Sequence, residues 1–135
     1  MSNMTECKTE LIIMKGYQQV IDLKNKNHPM KIQLVEAIFP PRKDNRSIVH
    51  LCSLQTTRRT IANNNNIWSI HAIMFHNSDS LLYQNNDISS FCDIAKDTER
   101  LYIYLGDKNG HALNTQNSHF SNDSLMFKIR LDYTV

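Results

Sequence analysis

The sequence predicts an all-β protein, specifically a two-sheet antiparallel β-sandwich that is jelly-roll-like, with about eight short strands and at most one short helix. Three observations support this prediction. Short runs of β-forming residues alternate between apolar and polar side chains, turn signals separate them every 8–12 residues or so, and no segment carries a long apolar stripe with a helical period. The length of 135 residues suits one β-sandwich domain, residues 1–135, with residues 1–8 as a flexible N-terminal segment.

The last two predicted strands are the clearest. In residues 125–133, apolar side chains alternate with Lys128, Arg130 and Asp132, which indicates one buried and one solvated face. Residues 101–105 are rich in β-formers on both faces and end at Gly106. The residues that follow, 107–110, are typical of a tight turn, and residues 111–113 are expected to form a short returning strand.

Earlier segments follow the same pattern. Predicted strands cover residues 10–14, 18–23, 30–39, 47–54 and 67–75, with weaker strands at 81–83 and 89–91. The strand at 30–39 stops at two prolines, which cannot continue a ladder. Ser90 is a candidate cap for the single predicted short helix, over residues 91–97.

Composition excludes several classes of protein. The formal net charge of +2 is too small for the whole chain to resemble an obvious nucleic-acid binder, and no apolar run is long enough to span a membrane. Three widely spaced cysteines form no C-x-x-C pair, and the polar N-terminus has no signal-peptide core. We therefore expect intracellular synthesis without a signal peptide, and no membrane partner. The fifteen asparagines cluster in predicted turns, where this residue tolerates unusual backbone angles.

The chain lacks recognisable catalytic motifs. There is no G-x-S-x-G elbow, no pair of histidines at metal-ligand spacing and no glycine-rich phosphate loop, because the three glycines are isolated. The sequence therefore predicts a protein that is not an enzyme, with no catalytic residues, no cofactor and no metal site.

Two groups of residues are candidates for binding. A basic patch combines residues that follow two predicted strands: Arg42, Lys43, Arg46, Arg58 and Arg59. Strands that are apolar on both faces supply a second group, the association face: Trp68, Ile70, Met74, Tyr102 and Tyr104. Another subunit can cover one of these apolar faces, and loops or a short helix can equally cover it. Tyrosines on a sheet face are also used to stack single-stranded nucleic acid, but the balance of acidic and basic residues does not favour that partner.

The order of these segments resembles a known family. Residues 31–40 (KIQLVEAIFP) look like the early strand of short jelly-roll capsid proteins, and residues 48–54 (IVHLCSL) look like the next. Residues 101–105, the turn with Asp107 and Asn109-Gly110, and residues 125–131 resemble the closing hairpin. In outline, residues 31–133 are similar to the minor (penton-type) capsid proteins of Polinton or Maverick elements and adenovirus-like viruses. The resemblance implies a single jelly roll that functions in assembly, has no active site and resides in a virion.

The leading functional expectation is thus a non-enzymatic structural protein that acts by self-association or by binding other capsid-type proteins. The alternative is a ligand-binding sandwich, either lectin-like or a module for single-stranded nucleic acid. A third alternative is an enzyme whose triad or metal site assembles from distant residues.

Overall fold

The computed structural model describes residues 6–43, 45–57, 60–62, 65–87, 89–118, 120 and 125–135. In chain order the strands are β1 (Cys7–Lys15), β2 (Gln18–Asp22), β3 (Asn27–Phe39), β4 (Ile48–Cys52), β5 (Thr60–Ala62), β6 (Asn65–Ile67), β7 (Ser69–Met74), β8 (Leu81–Gln84), β9 (Cys92–Asp93), β10 (Arg100–Gly106) and β11 (Met126–Thr134). None of the described residues is helical. No segment among them is therefore a helix with the length and hydropathy of a membrane span.

Two antiparallel sheets form the sandwich. The first has the order β1-β11-β3-β8, with β9 also paired to β3, and the second has the order β2-β10-β4-β7. Most consecutive strands lie in different sheets; the exceptions are β4 and β7, which are paired in the second sheet, and β8 and β9, which both pair with β3 in the first. The first and last strands, β1 and β11, are neighbours, and the whole order is the jelly-roll arrangement. The predicted fold class is confirmed. The hairpin of β5 and β6 is an addition to this eight-strand plan.

Alternating side chains on the inner faces of both sheets build the core. Along β11 every second residue from Phe127 to Tyr133 is buried, as the sequence pattern predicts. At one end of the sandwich the buried ring of Phe39 contacts three other phenylalanine rings at centroid distances of 5.0–5.5 Å: Phe75, Phe120 and Phe127. Edge-to-face contacts of this kind stabilise aromatic clusters beyond their burial alone.

The prediction of one continuous strand over residues 67–75 is wrong in detail. The segment divides at Trp68 into the end of β6 and the whole of β7. The register of β7 against β4 also shifts after Leu51, which leaves Ile70 as an extra residue in β7. A bulge of this kind changes which face the following side chains occupy, so Ile70 and Ile73 are both buried while Met74 is exposed.

Two further local predictions are wrong. Residues 91–97, predicted as a helix, contain the short strand β9, and the chain turns at Asp97 with a φ of 64°. Pairing of Cys92 with Ile32 of β3 replaces the hydrogen bonds that a helix would supply. Cys7 and Lys8, predicted to be in a flexible segment, belong to β1 and pair with β11, whereas the rest of that prediction falls largely on residues 1–5, outside the described residues.

Side-chain hydrogen bonds connect separate parts of the sandwich near each edge. Where β1 passes to β2, Gly16 has a φ of 84°, and the hydroxyl of Tyr17 lies 2.5 Å from Ser118 Oγ and donates to the carbonyl of Phe120 at 2.8 Å. At the opposite edge, His71 of β7 is hydrogen-bonded to Tyr83 of β8. The second contact joins strands of different sheets, and the first joins the turn between β1 and β2 to the segment that precedes β11.

Candidate functional site

The outer side of β2 and β10 carries the most prominent exposed aromatic residue. Val20 and Tyr102 are directly opposite each other in the ladder and are 49% and 50% exposed. They lie in a shallow groove of about 610 Å³ whose lining also includes Gln18, Tyr104 and Ala112. We call these five residues the tyrosine face. It combines apolar surface with neutral amide groups, a composition suited to contact with another protein surface.

Next to the tyrosine face, the turn at residues 107–110 covers the same side of the sheet. Tyr104 donates its hydroxyl proton to the carbonyl of Gly110 at 3.1 Å, which holds residues 107–110 over the sheet. Gly110 has a φ of 80°, and a β-carbon there would make a tight contact of 3.3 Å with the Ile67 side chain, so a larger residue would be strained at this position. Cys52, the neighbour of Tyr104 in the ladder, is completely buried as a result.

Burial sets the chemistry of Cys52. It raises the pKa of the Cys52 thiol to about 12, although a hydrogen bond with Tyr104 acts in the opposite direction. Burial likewise raises the pKa of Tyr104 to about 12. The thiolate is the nucleophilic form of cysteine, so an enclosed and protonated thiol is unsuited to covalent catalysis.

His50 belongs to the same enclosed cluster. Its Nδ1 atom lies 3.0 Å from the hydroxyl oxygen of Ser69. Burial lowers the pKa of His50, and the carboxylate of Asp107 only partly opposes this effect. The Asp107 carboxylate itself accepts hydrogen bonds from the backbone of Asn109 and His111 at 2.8 and 3.0 Å. The hydrogen bonds to Asp107 therefore hold the covering turn in place, and burial disfavours the protonated form of the imidazole.

The structure separates the residues of the predicted basic patch. Arg42 is buried, stacks over the ring of Phe75 at 4.1 Å and donates hydrogen bonds to the carbonyls of Arg46 and Asn77. Arg46 in turn donates to the carbonyl of Asn117 at 2.6 Å. Arg42 is therefore a structural clamp between loops and is not available to bind nucleic acid.

Of the remaining members of the basic patch, Lys43 is exposed. Arg58 and Arg59 lie outside the described residues. The described part of the patch thus offers one freely exposed cation, Lys43, beside two arginines that bind backbone carbonyls. A surface that recognises several phosphates would need more exposed charge at this position.

The predicted association face also divides. Ile70 lies in the core because of the bulge in β7, and Trp68 is half-buried, with its carbonyl accepting a hydrogen bond from Ser53. Met74 is 62% exposed, but the register places it at the opposite end of the sheet from Tyr102, roughly 20 Å away by strand geometry. Tyr102 and Tyr104 are therefore the members that lie together.

Sequence reasoning missed another exposed apolar surface, at the edge of the first sheet. Leu11 and Ile13 of β1 are 60% and 43% exposed on its outer side. The signal was present in the run Leu-Ile-Ile-Met at residues 11–14, which is apolar on both faces of a strand. Its position at a sheet edge depends on pairing with β11 and could not be inferred from local pattern.

The described residues contain no group of three or more histidine, cysteine, aspartate or glutamate side chains arranged to hold a metal ion. In comparisons with known proteins, no family model matches this sequence, and no curated protein matches it.

Proposed function

We propose that this protein is a non-enzymatic structural component that works by self-association, as a capsid-type jelly roll in a particle of a virus or virus-derived element. The observation that carries the proposal is the strand order, β1-β11-β3-β8 in one sheet and β2-β10-β4-β7 in the other. Viral capsid proteins are a major class with this arrangement, although lectins and cupins share it. In this proposal the protein is made inside the cell and acts in the virion.

The distribution of exposed apolar side chains supports an assembly role. Single exposed apolar residues are common on any protein surface. Here, however, Val20 and Tyr102 are adjacent on the tyrosine face, and Leu11 and Ile13 are adjacent on β1. Because the two pairs are on different sheets, one subunit has two separate contact surfaces. A closed assembly requires more than one contact surface when each subunit touches more than one neighbour.

Light scattering and analytical ultracentrifugation over a wide range of protein concentration test the proposal. The expected result is a discrete oligomer, with negative-stain electron microscopy showing a closed ring or shell. A protein that remains a strict monomer at the highest concentration would contradict self-association.

A matched pair of variants tests the tyrosine face. Val20→Lys places a charge beside Tyr102 and should reduce the oligomer mass, because a charge buried in an interface without a partner is unfavourable. Asn86→Lys adds the same charge at an exposed residue after β8 and should leave the mass unchanged. Equal masses for both variants and the unmodified protein would remove the tyrosine face from the assembly.

A second candidate is the binding of a carbohydrate or of single-stranded nucleic acid. The observation in its favour is the half-exposed ring of Tyr102, in a groove that also contains the amides of Gln18 and Gln19. Rings and amides of this kind stack and hydrogen-bond sugars or bases. Binding of an oligonucleotide that weakens steeply with salt would support the nucleic-acid form, since phosphate contacts release counterions.

A further inference from the structure

The strand β1 lies at an edge of its sheet with a long regular register. Its nine residues pair with β11 from Cys7 opposite Thr134 to Lys15 opposite Met126 without a register shift. Within the described residues, no strand pairs with its other side. An edge of this length presents a row of backbone donors and acceptors that another strand can use.

Two hydrogen bonds determine which backbone groups point to this free edge. The amide of Val135 donates to the carbonyl of Glu6 at 3.0 Å, and the amide of Gly16 donates to the carbonyl of Leu125 at 3.1 Å. Residues that exchange hydrogen bonds alternate along an antiparallel ladder, so the even-numbered residues of β1 bond to β11. The odd-numbered residues therefore direct their N–H and C=O groups away from the sheet.

The odd-numbered residues also carry the exposed side chains of β1. Leu11 and Ile13 are in this set, on the outer side of the sheet. The other three sheet edges differ. β7 has a bulge, β8 has four residues, and β2 has five residues with the Gln19 side chain donating to the carbonyl of Val20 at 3.2 Å. Bulges and short lengths are devices that discourage edge pairing, and β1 is longer and unbulged.

We propose that the free edge of β1 pairs with β1 of a second copy of this chain, antiparallel, around a two-fold axis at Ile12. This inference deepens the proposed self-association by naming one of its contacts. In this register Leu11 lies opposite Ile13 of the second copy, Ile13 lies opposite its Leu11, and the two Ile12 residues face each other. The odd-numbered residues then meet each other across the axis, so outward donors meet outward acceptors along the whole contact.

Charge also favours this register. It places Lys15 of the second copy opposite Thr9, whose hydroxyl donates to the carboxylate of Asp132 at 2.7 Å. That carboxylate also accepts a hydrogen bond from Arg130 at 3.0 Å. The extended side chain of Lys15 can reach Asp132 from the neighbouring strand, once on each side of the axis.

Alternative two-fold registers match the side chains less well. An axis at Leu11 places Thr9 opposite Ile13 of the second copy, and an axis at Ile13 places Leu11 opposite its Lys15. An axis between two residues pairs odd with even positions and sets outward backbone groups against inward ones. Among the three axes at a residue, only the one at Ile12 places both exposed apolar residues opposite apolar residues.

Disulfide trapping tests the register directly. In a Cys7→Ser background, Ile12→Cys places two cysteines in a facing, non-hydrogen-bonded pair, with α-carbons about 4.5 Å apart, which suits a disulfide. Leu11→Cys is the matched control, because the two copies of residue 11 are diagonal neighbours about 7–8 Å apart. Mild oxidation should give a dimer band on a non-reducing gel for Ile12→Cys and little for Leu11→Cys. Efficient dimer from Leu11→Cys, without dimer from Ile12→Cys, would overturn the register.

A proline substitution tests the contact without an added cysteine. Ile13→Pro removes an outward N–H and leaves the ladder with β11 intact, as proline on an edge strand can. Ile13→Ala keeps that N–H and is the control. We expect Ile13→Pro to lose the contact, measured as a decrease in oligomer mass, and Ile13→Ala to keep it. Urea unfolding should show that both variants are folded.

The outcomes separate this inference from the proposed function. A wild-type chain that is monomeric at all concentrations refutes both. An oligomer that persists unchanged in Ile13→Pro, with no trapping of Ile12→Cys, refutes only the pairing of β1. Binding of some other protein at β1, with no contact between copies there, also refutes it.

Discussion

Replacement of Arg42 by alanine should destabilise the fold, because this side chain connects two loops from a buried position. The guanidinium donates to the carbonyls of Arg46 and Asn77 and stacks on Phe75. Hydrogen bonds to a charged group contribute about 1.5–3 kcal/mol each, and a desolvated cation over a ring about 2 kcal/mol. Both bonds are only part-buried, so water recovers part of the loss after truncation. We expect the free energy of unfolding to fall by roughly 3 kcal/mol.

Urea unfolding followed by the fluorescence of Trp68, the single tryptophan, measures this change. For a chain of this size 3 kcal/mol corresponds to a decrease in Tm of roughly 12 °C. Lys43→Ala is the matched control, because Lys43 is the exposed neighbour and its loss should change stability by no more than about 0.5 kcal/mol. If Arg42→Ala proved as stable as Lys43→Ala, Arg42 would not be a clamp. Its side chain would then again be a candidate for the predicted basic patch.

Two further predictions concern the enclosed groups. A thiol reagent at pH 8 should label Cys7 in the folded protein and spare Cys52 and Cys92, which are buried; rapid labelling that survives in Cys7→Ser and maps to Cys52 would show that the covering turn opens readily. Because burial lowers the pKa of His50 in the folded chain, the unfolded chain binds more protons as the pH falls below about 6.5, and the free energy of unfolding should decrease there. His50→Asn, which can keep the hydrogen bond to Ser69, should flatten this part of the stability curve, and an unchanged curve would assign the pH dependence to other groups.

Local pattern was sufficient where a strand obeys a simple alternation. The predicted strands at 30–39 and 125–133 match β3 and β11 within a few residues. Along β11 buried and partly exposed side chains alternate strictly from Phe127 to Tyr133, whereas β3 alternates only loosely because Gln33 is also buried. The jelly-roll class followed from the number and spacing of such segments. The strand order itself depends on contacts between distant parts of the chain, which no local pattern contains.

Candidate binding surfaces were harder to predict, because one local irregularity, such as a bulge or a loop contact, decides whether a side chain is exposed. One extra residue in β7 moves Ile70 from an expected surface into the core. Arg42 carries the type of side chain that binds phosphate groups. Only the arrangement of the loops shows that its guanidinium already contacts a backbone carbonyl and the ring of Phe75. The edge position of Leu11 likewise became visible only from the pairing of β1 with β11.

The pairing of the first strand with the last also bears on how the chain is made. Thr9 and Asp132, neighbours in this ladder, are 123 residues apart, so closing that loop carries an entropy penalty of about 4 kcal/mol. During synthesis at about 5–20 residues per second, β1 waits roughly 5–20 s for β11 to leave the ribosome. Through that interval the apolar segment at residues 11–14 has neither its ladder partner nor a finished core. During synthesis the nascent chain is therefore exposed to misassembly at the same strand that we propose to be an assembly contact in the folded protein.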